Sequence, residues 1–407
     1  MLEKEILARK QRGLYIAKTS RIMQTDDGWK VPSQSGGGYY IVQSNGDGST
    51  CTCPDHETRH CKCKHIFAVE FIVTGEVNND GTITITKTIR KTYPQDWKAY
   101  DKATVNQKAI FMRLLNDLTD NFQQPEYKFG RPSLPLGDML YSSVMKVFTT
   151  FSLRRFMSDM QIAWEKEYVD SEPCYASVGH FLQRKDITPI LARMVTITSL
   201  PLISVENDFA ADSTGFGTTV FQRWFSFKYG KEINSKRWVK CHFMTGVKTN
   251  IITSVKITSE FDNDCPQLPE LVGKTSEHFD MDEVSCDKMY LSQDNLELIN
   301  GHGATAFIPF KSNSKASGNG WIWKKMYYLF MLKNDEFMGH YHKRSNAEST
   351  VQMVKSKFGD SVRSKTWTAQ VNEVLCKIIC HNICVNIQEM HELGIEPDFH
   401  VESSQSV

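Results

Sequence analysis

Four cysteines fall within thirteen positions, 51 to 63, in the stretch CTCPDHETRHCKCKH that closes on His65. Thiols this close in sequence either cross-link or converge on one ion, and the compartment decides which. The N-terminal segment, MLEKEILARKQRG, carries charge throughout and lacks the apolar stretch of a secretory signal. The chain is therefore expected in the cytoplasm, where thiols stay reduced and the cluster reads as metal ligands. Cys51, Cys53, Cys63 and His65, as Cys-x-Cys, nine residues, then Cys-x-His, would make a closed Cys₃His tetrahedron. That is the ligand chemistry of one structural zinc ion, with no open position for catalysis. Cys61 leaves a Cys₄ set open through its own Cys-x-Cys, and His60 also lies nearby.

The rest of the 407 residues is organised around this module. With 40% hydrophobic and 23% charged residues the composition is that of a globular chain with a sizeable core. No apolar run is long enough to span a bilayer, so no membrane partner is expected. A net charge of +1 neither requires nor excludes nucleic acid. The basic runs KTIRK (87–91) and KEINSKRWVK (231–240) read first as solvated faces, though a local patch suffices to bind phosphates.

Three territories and a tail follow from patterning. Residues 1–92 form a small zinc-binding α+β module, with two short strands around the Gly-rich turn of 28–44 and a helix stopping near Gly75. Residues 93–200 read as all-helical: Ile110, Leu114 and Leu118 mark one amphipathic face, and Ser152 is a plausible N-cap between two later helices. Residues 201–392 read as three strands, a helix, a strand, a helix, a strand and a long helix, an α/β domain with a mixed sheet. Residues 393–407 are assigned to a C-terminal tail.

One segment of the third territory carries an unusual face. In YHKRSNAESTVQMVK (341–355), read as a helix turning about 100° per residue, Tyr341, Arg344, Glu348 and Lys355 point within roughly 60° of one another. A stripe at that spacing is ordinarily apolar. Upstream, Asp212 in ADSTGF and Asp287 in SCDKMYL are each expected at the end of a strand.

Two families share these patterns. The cysteine spacing, the Pro-Asp after the second cysteine and the KHI-AV tail resemble the SWIM zinc finger over residues 28–73, which implies partner recognition. Tyr341-x₂-Arg344-x₃-Glu348-x₆-Lys355 resembles the Y-R-E-K signature of a group of insertion-sequence DDE transposases. The order Asp212, Asp287, Glu348 and the closing helix VNEVLCKIICHNICV (371–385) resemble that group too, from about residue 93 onward.

The second resemblance implies an RNase H-like catalytic domain that cuts transposon ends and joins the freed 3′-hydroxyls to target DNA. It implies catalytic carboxylates at Asp212, Asp287 and Glu348, holding two Mg²⁺ or Mn²⁺ ions, with Asp212 shared between them. Such ions stabilise charge on the attacking and the leaving oxygen of a phosphodiester, and Mg²⁺ keeps several positions for water or phosphate. Tyr341, Arg344 and Lys355 would contact DNA, and Arg131, Arg154 and Arg155 are further candidates at the terminal inverted repeats. Double-stranded DNA, a homodimer holding two ends in a synaptic complex, and nucleoid association follow from the same resemblance. The alternatives are a transposase-derived DNA-binding protein without catalysis and an RNase H-like nuclease that never joins strands.

Weaker signals keep two readings each. Arg131, Arg154 and Arg155 also suit the surface of a helical bundle. Cys376, Cys380 and Cys384, beside His381, read as core packing before a second metal site. Trp321 and Trp323 read as core before base-stacking groups. Asp287 and Glu348 are only 61 positions apart, which leaves no room for a large insertion between them.

Overall fold

The computed structural model describes residues 2–399 apart from 21, 26, 35–37, 46–47, 75, 78–82, 85–95, 127–128, 131, 219–227, 229–236 and 318–319. Arg131 and the basic runs 87–91 and 231–236 thus lie outside the described residues. Two compact units divide the chain, Met1–Tyr93 and Pro94–Val407.

In the first unit, helix α1 (Leu2–Thr19) precedes a four-stranded antiparallel sheet in the order β1-β2-β3-β4 (Met23–Thr25, Gly28–Pro32, Tyr39–Asn45, Gly48–Cys51). Short α2 (Pro54–Arg59), α3 (Lys64–Thr74) and a small ladder of β5 (Glu76–Val77) with β6 (Ile83–Thr84) follow. Helix α1 was not anticipated, because its charges mask a single buried edge. Ile16 joins Val31, Val42 and Ile66 in the core. Gly13 makes this packing feasible: a Cβ there would stand 2.6 Å from the Phe67 Cβ and 2.8 Å from the Lys64 carbonyl. Local chemistry also shapes the cysteine loop. Pro54 opens α2 directly after Cys53, and His60, at φ 47°, closes it, returning the chain toward Cys63.

The second unit starts with helices α4 (Trp97–Thr119), α5 (Leu136–Phe148), α6 (Leu153–Glu165), α7 (Tyr175–Phe181) and α8 (Thr188–Ser199). Asp96 caps α4 through Lys98 N and Ala99 N. Ser152 occupies the N-cap of α6, but its hydroxyl accepts no capping bond. Strands β7 (Asp208–Gly217), β8 (Trp238–Gly246), β9 (Ile252–Ser259), β10 (Glu283–Cys286) and β11 (Thr305–Phe307) build one sheet in the order β11-β10-β7-β8-β9. The pairs β11/β10 and β10/β7 are parallel, and β7/β8 and β8/β9 antiparallel. That is the RNase H-like mixed sheet.

Alternation along β7 sends Ala210 and Phe216 into one core and Phe209 and Ala211 into another. The first core also contains the apolar sides of α4, α5, α6 and α8, so helical bundle and sheet bury a common interior. Helices α9 (Leu268–Ser276), α10 (Gln293–Gly301), α11 (Trp321–Leu332) and α12 (Asn334–Tyr341) cover the second face. Helix α13 (Ser345–Phe358) and the 26-residue α14 (Trp367–Glu392) close the first. Asn382 on α14 donates to Val195 O and Ile252 O and accepts from Ile252 N, stitching bundle to sheet. Phe399 packs into the same core, with Asn121 donating to its carbonyl.

Helices α11 and α12 are an addition to the expected order. Of the twelve residues of WIWKKMYYLFML only Ile322 and Met326 are buried, so its helical period is faint beneath so many aromatics. Among the described residues, no helix is long and apolar enough to cross a membrane.

Glu389, near the end of α14, offers a test of this packing. Burial, then the charges of Glu392 and Glu206, push its carboxyl from 4.5 to about 7. The folded state keeps a proton that the unfolded chain releases, so this group's contribution to stability declines as pH rises from about 4.5 to about 7. Glu389→Gln is expected to stabilise the protein by about 1–3 kcal/mol at pH 8 and by little at pH 4. Calorimetric melts at the two pH values measure this.

Candidate functional site

The register of two strands builds the acidic site. Glu283 pairs with Asp208 and Cys286 with Ala211, so the next aligned positions are Asp287 and Asp212. In a parallel pair aligned residues share a face, and positions four apart return to it. Asp208 with Glu283, and Asp212 with Asp287, therefore form two tiers of carboxylates about 13 Å apart along the strands.

Asp287 directly follows the last residue of β10 and starts a single 3₁₀ turn, Lys288–Tyr290. Asp212 departs from expectation. It sits inside the ten-residue β7 rather than at its end, because β8 continues to pair with β7 as far as Gly217. The parallel ladder nevertheless stops one residue before it, at Ala211.

Residues 341–355 are not one regular helix. Tyr341 ends α12, residues 342–344 form a 3₁₀ turn, and α13 begins at Ser345. The backbone stays right-handed helical at Tyr341 (φ −58°, ψ −36°) and Arg344 (φ −56°, ψ −27°), so the chain tightens without changing hand. Ala347, Val354 and Phe358 pack α13 onto the core. Glu348, about 100° round the helix from Ala347, lies at the edge of that buried face.

Arg344 is the link between Glu348 and Asp212. Its Nη2 donates to Asp212 Oδ2 at 3.2 Å and its Nη1 to Glu348 Oε1 at 2.8 Å. Its Nε is buried without a partner among the described residues. Burial raises the Asp212 carboxyl above its ordinary range; Arg344 and the Ser213 amide pull it back, while Asp287 and Glu348 push it further up. Against the cost of its own burial, Arg344 is held charged chiefly by Asp212. Burial likewise raises the Tyr341 phenol, whose field also includes Arg344 and all three carboxylates. These four side chains and Asp287 thus share one electrostatic neighbourhood.

The remaining candidates sit apart from those contacts. Lys355 Nζ lies 5.6 Å from the centre of the buried Phe216 ring, which Lys377 also faces at 5.5 Å. Arg154 and Arg155 are exposed on α6, over Tyr175 and Phe151 respectively. Trp321 is 68% exposed, whereas half-buried Trp323 meets Phe310 edge-on and donates to the Lys315 carbonyl. Cys376, Cys380 and Cys384 are buried in the core of α14, and His381 is bonded through Nε2 to Asn250 O.

Cys51, Cys53, Cys63 and His65 converge in the first unit, all buried, with ligand atoms within 4.8 Å of one another. Among the described residues no other group of three or more metal-ligating side chains converges so closely. His65 Nδ1 stands 3.9 Å from Cys51 Sγ and from Cys63 Sγ, and its Nε2 is buried without a partner among the described residues. Crowding against Cys63 raises the Cys51 thiol, and the Cys51 contact lowers that of Cys63. Cys61 is outside the cluster and only half-buried; its carbonyl meets His56 Nδ1.

Sequence reasoning missed a second constellation at the other tier. Lys343 Nζ donates to Asp208 Oδ2 at 2.8 Å and to Glu283 Oε2 at 2.6 Å, and His340 Nδ1 lies 2.7 Å from Glu283 Oε1. The signal was present: Asp208 and Glu283 each precede an acidic candidate by four positions.

A sheet of this order, with carboxylates at adjoining levels of its two inner parallel strands, defines an RNase H-like domain. Residues 204–383, the segment that holds Asp212, Asp287 and Glu348, match the family model of the transposase DDE domain. Curated protein sequences give no match. Among solved structures, piggyBac transposase in a synaptic complex with hairpin DNA aligns at 11% identity and a TM-score of 0.34, over 71% of this chain and 74% of that one.

The ion pairs make Arg344 testable without any ligand. In Arg344→Gln, Asp212 would face Asp287 and Glu348 without a counter-charge. A loss of about 1–3 kcal/mol is expected at pH 8, shrinking as pH falls through the raised Asp212 range. Thermal melts in chelator across that range measure it.

Proposed function

We propose that this protein is a DNA transposase that binds terminal inverted repeats, cleaves the transposon ends and joins their 3′-hydroxyls to target DNA. The observation carrying this reading is that Asp212, which the strand register brings level with Asp287, is joined to Glu348 through the Arg344 guanidinium.

The donor set fits divalent magnesium or manganese. All three candidate ligands offer hard carboxylate oxygens, and Asp212 and Glu348 already draw a cation, Arg344, against them. Asp212, Asp287 and Glu348 would hold two such ions, with Asp212 common to both. When bound, these ions supply stabilisation of charge on the attacking and leaving oxygens of the phosphodiester. Arg344 then exchanges its carboxylate partners for DNA phosphate, a planar fork well matched to either. Tyr341 presents its phenol beside the same strand, and Lys355 contributes a second cation further along α13. Arg154 and Arg155, exposed beside aromatic rings, suit contacts to the repeats. Since two ends must be cut and joined together, the active form is a homodimer on DNA.

The cluster in the first unit fits zinc on the same grounds. Ligands at tetrahedral Zn–S and Zn–N distances stand roughly 3.5–3.8 Å from one another, close to the 3.9 Å between His65 Nδ1 and two of the thiols. Cys51, Cys53, Cys63 and His65 would close the loop around α2 and fix α3 on the sheet, a structural role in a module of the SWIM kind.

Purified protein should carry about one zinc per chain. Metal analysis should find it lost in Cys63→Ser and kept in Cys61→Ser. For the chemistry, a plasmid bearing the gene with its native flanks is incubated with protein and Mg²⁺ or Mn²⁺, and all new ends are mapped. Paired cuts at inverted repeats are expected, falling in Glu348→Gln by more than the roughly 10–100-fold that loss of an outer partner costs a metal site. Cuts without joining would favour a nuclease. Binding of the flanks without cuts would favour a DNA-binding derivative.

A further inference from the structure

We infer that Lys343 is a positioning residue for the acidic site: by clamping the upper tier, Asp208 and Glu283, it sets the level at which Glu348 meets Asp212 and Asp287. The inference rests on the proposed reading of that site and adds a residue outside the Y-R-E-K pattern.

The geometry is specific. Lys343 and Arg344 are neighbours in a 3₁₀ turn, yet Lys343 reaches the first residues of both β7 and β10 while Arg344 reaches Asp212, four positions further along β7. Lys343 spans both strands at 2.8 and 2.6 Å, at the aligned pair Asp208–Glu283. His340 adds a bond to the second oxygen of Glu283, and its ring stacks on Phe307 at 4.5 Å and 8°. The ion pairs are partly shielded, with side-chain exposures of 23% for Lys343, 18% for Asp208 and 17% for Glu283. Held by two carboxylates against the cost of its burial, Lys343 has its ammonium pKa raised above the ordinary value.

The arrangement also separates two jobs. Arg344 must leave Asp212 and Glu348 when cations and phosphate arrive. The N-terminal end of α13 would then hang from a tightened turn, held on the C-terminal side by Ala347 and Val354 in the core and by the Thr350 bond to Asn250. Glu348 lies five positions beyond Lys343, a rise of about 7.5 Å. Lys343 is the polar anchor on the N-terminal side of Glu348 that does not have to move, as Thr350 is on the other side. Small displacements of ligating groups are costly to metal sites and to reacting geometry, so a fixed clamp one residue from a mobile arginine has a mechanistic consequence.

The test uses full-length protein and three readouts: Mn²⁺ affinity by electron paramagnetic resonance, the kcat and KM for cleavage of DNA ends, and the melting temperature. The Mn²⁺ site is defined as the binding lost in Asp212→Asn. Lys343→Met is expected to weaken that binding about tenfold and to lower kcat by about 10–100-fold, with KM for DNA within about threefold. Lys343→Arg, which can still bridge two carboxylates, should recover most of both. Should the Met variant not fold, Glu283→Gln, which keeps the Asp208 arm, is expected to give the same pattern with smaller changes. Mn²⁺ affinity and kcat within about twofold of wild type in a folded variant would overturn the inference. So would a raised KM at unchanged kcat, which assigns Lys343 to DNA contact. If the wild type shows no Asp212-dependent Mn²⁺ binding, the reading of the site fails first, and this inference falls with it.

Discussion

The parallel register of β7 with β10 sets the character of the second unit. It aligns Asp208 with Glu283 and brings Asp212 level with Asp287, so four carboxylates share one face of the sheet. Such a surface is unfavourable alone, since like charges at adjacent positions repel and burial penalises each of them. The remedy is local in sequence. Two consecutive cations, Lys343 and Arg344, descend from a single turn onto the two tiers. The tightened turn between α12 and α13 is thus where sheet charge and helix position are settled together.

The far end of α13 is held by a different device. Its last carbonyls, like those of any helix, need partners. Lys377 of α14 donates to Phe358 O, Gly359 O and Ser361 O at 2.6, 2.8 and 2.9 Å. Gly359, at φ 83°, turns the chain there, and residues 360–362 then bond along the end of β7 through Gly217. Burial pushes the Lys377 ammonium down to about 8, with Glu373 opposing. Helix α13 is therefore anchored at its start by an ammonium between carboxylates and at its end by an ammonium among carbonyls. Glu348, in its first turn, follows directly on the anchored start.

Much of this order was legible in the sequence. Strands β7, β8 and β9 announced themselves through β-branched and aromatic runs, and α14 through the resemblance of residues 371–385 to a closing helix. Burial of Cys376, Cys380 and Cys384 followed from their four-residue spacing among isoleucines. What was not legible depends on tertiary partners. The position of Asp212 inside β7 is decided by β8, a neighbour nine residues long whose pairing extends the strand beyond its own apolar pattern. Helix α11 hides because nearly all its aromatics remain partly or wholly exposed. The break at residues 342–344 leaves no mark in the hydrophobic pattern, since its backbone angles stay close to helical. The Lys343 clamp could be sought only once the register of β10 against β7 was known.

The two ligand sets differ in a way their chemistry explains. Thiols and imidazole can be neutral in the absence of metal, so Cys51, Cys53, Cys63 and His65 can converge within 4.8 Å and stay buried. Three carboxylates cannot do the same while ionised: bringing them together without a cation would cost far more than the fold can supply. Arg344 eases this by standing between Asp212 and Glu348, which gives both a shared counter-charge. A resident arginine is also the group that DNA phosphate attracts most readily in bidentate fashion. In the proposed reaction, phosphate and divalent cation therefore act on one equilibrium from two sides. Phosphate offers Arg344 a new partner, and the cation offers the carboxylates theirs. Each favours the same displaced state of the arginine, so binding of either should strengthen binding of the other. Cation loading is thereby biased toward protein already seated on DNA, and the bias needs no element beyond one side chain and the clamp that lets it move.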